Sequence, residues 1–385
     1  MITWKIFLYL IVCFTITTSC GGLKMNKLIT NKSERVKDFL DTEISELNTP
    51  GVQYLVLSSD NIIFEYSGGL ADIKNKSLMN SNTTMMAFSM TKTITAVAVL
   101  QLIEKGKLNL NDSIDKYIDN NPYGKKVTIK HLLSQTSGIP SPIPLKWVHL
   151  AKKHKEYNED LALNKILKEN KELKFNPGQK YAYSNISYWL LGKIIENVSG
   201  LTYQDYIYNN ITKPLQLTKN DIDTIIPDKT KHAKGYLKKY SFMNMIKGFL
   251  VDKDLIGEYE SNWLNIKNVY LNGPAFGGLI GSAHSFSKFL QDQLKEKSVL
   301  FNNKTKKLLY TQQQDNNKKL IEMSLGWHIA NVKNIKYFFK EGGGAGYHSE
   351  MRIYPKQKIA TIIIVNKTSL NTKKYLNFLD KEFLY

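Results

Sequence analysis

Apolar residues recur at helical spacing near the start of the chain. Val36, Phe39, Leu40 and Ile44 fall on one face, which predicts an amphipathic helix ended by Pro50-Gly51. Two β-rich runs follow, residues 51–57 and 62–66. They flank the polar Ser58-Ser59-Asp60-Asn61, a hairpin pattern, and Gly68-Gly69 closes the unit. From residue 85 to about 319 the apolar positions read mostly as helix, broken by Pro- and Gly-marked loops, with no internal repeat. Residues 326–330, 335–339, 348–354 and 359–365 then read as consecutive strands, and residues 375–385 as a last amphipathic helix.

Strands at both ends with helices between them predict an α/β fold of the α+β type. A mainly antiparallel sheet is built from the two chain ends, flanked by helices, and closed around a large helical insertion at about 85–319. A site at the junction would draw residues from both regions.

The chain has 385 residues, enough for one large or two interleaved domains with a buried core. A hydrophobic share of 42% and a charged share of 23% are ordinary for a globular protein. The net charge of +19 could favour nucleic acid, anionic lipid or an anionic wall polymer. Its lysines are scattered, however, arginine is rare, and no basic stripe is interleaved with aromatics, so no nucleic-acid partner is expected.

The N-terminus reads as a targeting signal. Lys5 supplies a positive charge, and residues 6–18 form an apolar run too short to span a bilayer comfortably. The run ends at Thr17-Thr18-Ser19-Cys20-Gly21-Gly22, which resembles the lipobox of bacterial lipoproteins, with Thr17 where leucine is usual. That likeness implies lipidation of Cys20, export, and a membrane anchor in the cell envelope. Ordinary signal cleavage nearby and an uncleaved anchor are the alternatives. The expected division is a signal over 1–20, a linker over 21–32 and one domain over 33–385. Cys13 and Cys20 are the only cysteines, and the seven histidines show no ligand spacing. Chemistry free of metal and cofactor is therefore expected.

Three motifs carry candidate chemistry. Ser89-Met90-Thr91-Lys92 sets a hydroxyl and an amine on one helical face, at the start of an apolar, small-residue helix. A serine is a poor nucleophile until a neighbouring base activates it, and the lysine could be that base if neutral. Ser113-Ile114-Asp115-Lys116 and Ser285-Phe286-Ser287-Lys288 match the same pattern, and Ser113 sits in a polar turn where serine usually caps a helix. For Ser89, capping and catalysis both fit the tetrapeptide; a buried lysine without an acid partner favours catalysis. Tyr183-Ser184-Asn185 lies between the turn at Pro177-Gly178 and an apolar helix. A phenol near an ammonium can lose its proton more easily, and Asn185 offers a donor and an acceptor to an amide. The bland reading is a ring packed in a turn. Lys340-Glu341-Gly342-Gly343-Gly344 ends a strand, where glycines admit a substrate backbone; a plain glycine-rich hairpin loop is the alternative.

Ser-x-x-Lys, then Tyr-x-Asn, then Lys-x-Gly, in that order, resembles the active-site serine penicillin-recognising family, in its class C β-lactamase, D,D-peptidase and esterase branch. The likeness covers roughly residues 33–385 and extends to the segments 127–139 and 274–282. It implies that Ser89 attacks a carbonyl and becomes acylated, with Lys92 and Tyr183 sharing the proton transfers. Asn185, Lys340, Gly342 and Gly343 would bind substrate, the backbone N–H groups of Ser89 and Gly343 would hold the oxyanion, and water would release the acyl group. The implied function is a cell-envelope serine hydrolase acting on ester, amide or peptide bonds of a small-molecule or peptide substrate. A class C-like β-lactamase, or a non-hydrolysing receptor or scaffold, is the alternative. Glu341 departs from the family pattern, which has threonine or serine there. A carboxylate facing a substrate carboxylate is unfavourable. Neutral esters, amides or amino-terminal D-residues are thus expected to fit better than β-lactams or D-Ala-terminated peptides.

Overall fold

The computed structural model describes residues 32–142, 147–250 and 252–385. The expected signal over 1–20 with its lipidation candidate Cys20, and the expected linker up to residue 31, lie outside the described residues. Among the described residues no helix is long and apolar enough to cross a membrane.

The elements that matter for the site are, in chain order, α1 (Lys32–Ser45), β1 (Gly51–Leu57), β2 (Ile62–Asp72), β3 (Ser77–Leu78), α2 (Thr91–Glu104), α3 (Asn185–Ser199), β4 (Gly235–Lys238), α4 (Phe242–Leu250), β5 (Ile256–Glu260), β6 (Trp263–Ile266), β7 (His328–Val332), β8 (Ile335–Gly344), β9 (Tyr347–Tyr354), β10 (Ile359–Val365) and α5 (Thr372–Leu379). A seven-stranded antiparallel sheet runs β7-β8-β9-β10-β1-β2-β3, so the two chain ends meet where β10 pairs with β1. Tyr54 lies opposite Ile363 and Leu55 opposite Ile362.

The central strands are buried along their whole length, which explains their unbroken apolar runs. Successive side chains point to opposite faces. Val52, Tyr54, Val56 and Ile363 pack with Val36, Phe39 and Leu40 of α1 and with Leu376 of α5, while Leu55, Leu57, Ile362 and Ile364 join the larger core around α2. Helix α2 is buried from Thr91 to Leu102, an almost complete wrapping that its small residues Thr93, Thr95, Ala96 and Ala98 permit.

Three sequence expectations change. Strand β2 does not close at Gly68-Gly69 but continues to Asp72. Gly69 has φ +83°, and a Cβ there would stand 2.2 Å from the Pro50 carbonyl oxygen, so these glycines admit a close crossing rather than end a strand. The insertion is not helical throughout: β4, β6 and β5 form their own sheet, and Val148–Leu150 pairs with Val269–Leu271. Strands of three to five residues are too short for periodicity to distinguish them. The final helix starts at Thr372 and gives way to a short second turn, Lys381–Leu384.

Candidate active site

Ser89 enters α2 through the tight turn Phe88–Met90. Phe88 has φ +46°, a left-handed conformation that costs energy for an aromatic residue and must be held by its surroundings. The holding groups are visible. The Ala87 N–H donates to the Leu279 carbonyl at 2.9 Å, and Ser349 Oγ donates to the Ala87 carbonyl at 3.1 Å.

One turn into the helix, Lys92 is fully buried. Its Nζ reaches Ser89 Oγ at 2.9 Å, Asn185 Oδ1 at 2.8 Å and the Phe276 carbonyl oxygen. None of these partners is an acid. Burial, reinforced by the charge of Lys340, holds the Lys92 amine well below the ordinary lysine range. Ser89 Oγ lies 2.6 Å from Tyr183 Oη. The Tyr183 ring stands between two amines, with Lys92 Nζ 5.0 Å and Lys340 Nζ 4.9 Å from its centre. Burial lowers Lys340 to about 7, against the pull of Glu341.

The phenol corrects an expectation. Burial pushes Tyr183 up, only partly opposed by its hydrogen bond to Ser89, so the ring does not give up its proton easily. A phenolate out of water costs more than amines that are themselves inclined to neutrality can return.

Gln135, which sequence reasoning passed over, fixes Tyr183. The Ala182 N–H donates to its carbonyl at 2.8 Å and the Ser184 N–H to its Oε1 at 2.6 Å, one on each side of the tyrosine. Ser184 then caps α3, accepting from the Ser187 N–H at 3.2 Å, and Asn185 is the first residue of that helix. The 127–139 segment thus acts through one main-chain and one side-chain acceptor of Gln135, and the 274–282 segment through the Phe276 carbonyl, neither of which the three motifs reveal. His328, at the start of β7, also lines the site. Its Nε2 lies 3.1 Å from Tyr181 Oη, and burial with the charges of Lys340 and Lys92 pushes it down to about 2, so it is neutral.

The third motif lies within β8 and not beyond its end. Pairing of β7 with β8 stops at His328 opposite Phe339, which leaves residues 340–344 without a strand partner on that edge among the described residues. Lys340, on one face of the pleat, is buried toward Tyr183. Glu341, on the other, accepts from His348 Nε2 at 2.6 Å and from Thr372 Oγ1 at 3.2 Å. The His348 bond holds its carboxyl below the usual range. Its charge is engaged by β9 and α5, so the repulsion expected toward a substrate carboxylate is weakened.

A crevice of about 600 Å3 is lined by Ser89, Tyr183, Asn185, Lys340, Gly342 and Gly343, with Lys92 beneath it. The look-alike motifs stay apart. Ser113 Oγ caps a short turn by accepting from Asp115, and Lys116 pairs with Asp112 at 2.6 Å. Ser285 is buried beside Ser282. Among the described residues no group of three His, Cys, Asp or Glu side chains is placed to hold a metal ion.

A family model described as Beta-lactamase matches residues 33–383. Protein flp of Staphylococcus aureus (strain N315) is 31% identical over 218 residues, 54% of this chain and 42% of that protein. The match thus spans less than half the length of that curated relative. Penicillin-binding protein 4* of Bacillus subtilis (strain 168) is 26% identical over 340 residues, 88% of this chain and 72% of its own. Among solved structures, the D-amino acid amidase from Ochrobactrum anthropi SV3 complexed with L-phenylalanine amide has a TM-score of 0.77 at 17% identity, covering 92% of this chain and 99% of that one. The octameric penicillin-binding protein homologue from Pyrococcus abyssi has a TM-score of 0.72 at 22% identity, over 91% and 77%. At these identities the shared property is the fold.

Proposed function

The chain belongs to the Beta-lactamase family, and on that premise we propose that it is a cell-envelope serine hydrolase that cleaves ester or amide bonds through an acyl-enzyme on Ser89. One observation carries the reading: the Lys92 amine is fully buried, has no acid among its partners, and lies 2.9 Å from Ser89 Oγ. A neutral amine has two N–H donors and one lone pair. Its two pure acceptors, Asn185 Oδ1 and the Phe276 carbonyl, take the donors and aim the lone pair at the Ser89 hydroxyl. Lys92 is therefore the base and Tyr183 the relay.

In the first half-reaction Ser89 Oγ bonds the carbonyl carbon as its proton passes to Lys92. The oxyanion is held by the N–H groups of Ser89 and Gly343. When the carbonyl re-forms, the bond to the leaving group breaks, and the proton reaches that group through Tyr183. Water then attacks the acyl carbon, gives its proton back to Ser89 Oγ by the same route, and frees a carboxylic acid. Asn185 and the free edge at residues 340–344 bind the substrate amide and backbone. Export and anchoring through Cys20 complete the proposal; Cys20→Ala should shift the chain from the membrane fraction to the soluble one.

Turnover of p-nitrophenyl acetate tests the chemistry, together with intact-mass detection of a fluorophosphonate adduct. Wild type is expected to hydrolyse the ester and take one adduct, and Ser89→Ala to lose both, with turnover down at least about a thousand-fold. An unreactive wild-type chain would favour a non-hydrolysing receptor instead.

A further inference from the structure

The crevice extends past the catalytic groups into an apolar arm that the proton transfers leave unused. Its wall is built from Leu237 of β4, Met243 of α4, Leu255, Ile266 of β6, Val148 and Val269. Leu237, Leu255, Ile266 and Val269 are firmly packed, and Met243 is a half-buried side chain seated on the cluster of Leu237, Leu264 and Ile266. These six side chains offer nothing to a charged or strongly polar group, and a methionine lets the wall adapt to chains of different length. Lys247 of α4, which also lines the crevice, has its amine donating to the Asn244 carbonyl at 3.0 Å.

The direction of the arm says which part of a substrate it receives. A leaving group must lie on the side of Tyr183, the residue that returns its proton. Tyr183 stands beside Lys340, at one end of the free edge of β8. The arm lies toward the opposite end, where Gly235 at the start of β4 is packed against Ala345 and Gly346. A carbonyl seated at Ser89 and Gly343 therefore sends its acyl portion along the strand into the apolar arm. Resting on the serine-hydrolase reading of the same site, we propose that the arm is an acyl-chain site. The substrate transfers a medium-length aliphatic acyl group to Ser89: the Oγ–carbon bond forms first, the acyl carbon–oxygen bond of the ester breaks when the carbonyl re-forms, and the Ser89 proton goes to the departing alcohol. Water then cleaves the Oγ–carbon bond, restores the Ser89 proton and releases the aliphatic carboxylic acid.

A series of p-nitrophenyl esters from acetate to dodecanoate, hydrolysed by the full chain, tests this. Values of kcat/KM are expected to rise by up to about four-fold per methylene over the first additions, so that octanoate exceeds acetate by about 30-fold or more. Met243→Trp, which fills the arm from a half-buried position on its wall, is expected to lower the octanoate-to-acetate ratio about ten-fold. The ratio cancels any general loss of folded protein. A wild-type ratio at or below one, or a ratio that Met243→Trp does not move, overturns the proposal. Failure of the underlying reading looks different: no ester is turned over and no adduct forms on Ser89. In that case calorimetric titration of Ser89→Ala with octanoate and acetate decides the arm. Octanoate binding at least about ten-fold tighter supports it, and equal affinities overturn it.

Discussion

Gly342 and Ser89 are in backbone contact: a Cβ on Gly342 would stand 2.7 Å from the Ser89 nitrogen and 2.4 Å from the Ala87 carbonyl oxygen. Both obstructing atoms are main chain and cannot rotate away. The glycine is what lets β8 lie against the nucleophile turn, an approach that the proposed oxyanion pair, the N–H groups of Ser89 and Gly343, requires. Gly342→Ala must force the strand and the turn apart. Ester kcat/KM should fall at least about 100-fold, because displacement of about an ångström is costly to catalysis. Overpacking should cost about 1–3 kcal/mol in urea denaturation, with circular dichroism unchanged. A variant as active as wild type would mean the contact does not set the oxyanion donors.

Lys340 should govern the pH at which Lys92 becomes a base. Its positive charge is the second cause, after burial, of the low proton affinity of Lys92. Lys340→Met removes that charge, so Lys92 should hold its proton to higher pH and the rising limb of kcat/KM should move to higher pH. Linkage adds a second readout. Lys340 titrates at about 7 in the folded chain, below its unfolded value, so the unfolded chain binds more protons between about pH 7 and about pH 10. Wild type should gain stability as pH rises through that window, and Lys340→Met should lose this part of the gain. An unmoved limb would separate the two lysines.

Much of this could be read from residues alone. Helix α1, the pairing of the chain ends through β1 and β10, and the convergence of residues 89, 92, 183, 185 and 340 all follow from patterns on side chains. What escaped reading is backbone-borne. The strand through Gly68-Gly69 depends on a crossing at Pro50, and the grip of Gln135 on Tyr183 uses main-chain groups of Ala182 and Ser184. The third partner of Lys92 is a main-chain carbonyl, on Phe276. The phenol was misjudged for another reason: burial, which no motif states, outweighs the neighbouring amines.

Across the sheet from Ser89, Arg352 is fully buried, with Glu350 at 2.5 Å and Asp380 at 3.5 Å. Tyr54, Tyr354 and Thr361 also donate to Asp380, tying β1, β9 and β10 to the end of α5. Arg352→Met leaves two buried carboxyls without their cation. Urea denaturation should register a loss of about 3–5 kcal/mol. Because this network lies on the face away from the crevice, kcat/KM of the folded variant should stay within about two-fold of wild type. A loss below about 1 kcal/mol would show that the network is not structural.

Asn185→Asp is the sharpest test of the neutral base. Asn185 Oδ1 sits 2.8 Å from Lys92 Nζ, and aspartate would keep the shape and the acceptor while adding a negative charge. An opposite charge at hydrogen-bond distance favours the ammonium, so the Lys92 pKa must rise and the lone pair aimed at Ser89 is lost. Acylation followed by intact mass should fall at least about 100-fold at about pH 7, and recover in part as the pH is raised toward about 10, where lysine deprotonates. Asn185→Leu removes the acceptor without adding charge, so it should lower the rate with no shift of the rising limb toward higher pH. If the aspartate variant titrates as wild type does, Lys92 is not the group that takes the proton, and Tyr183 would have to be the base despite its raised pKa.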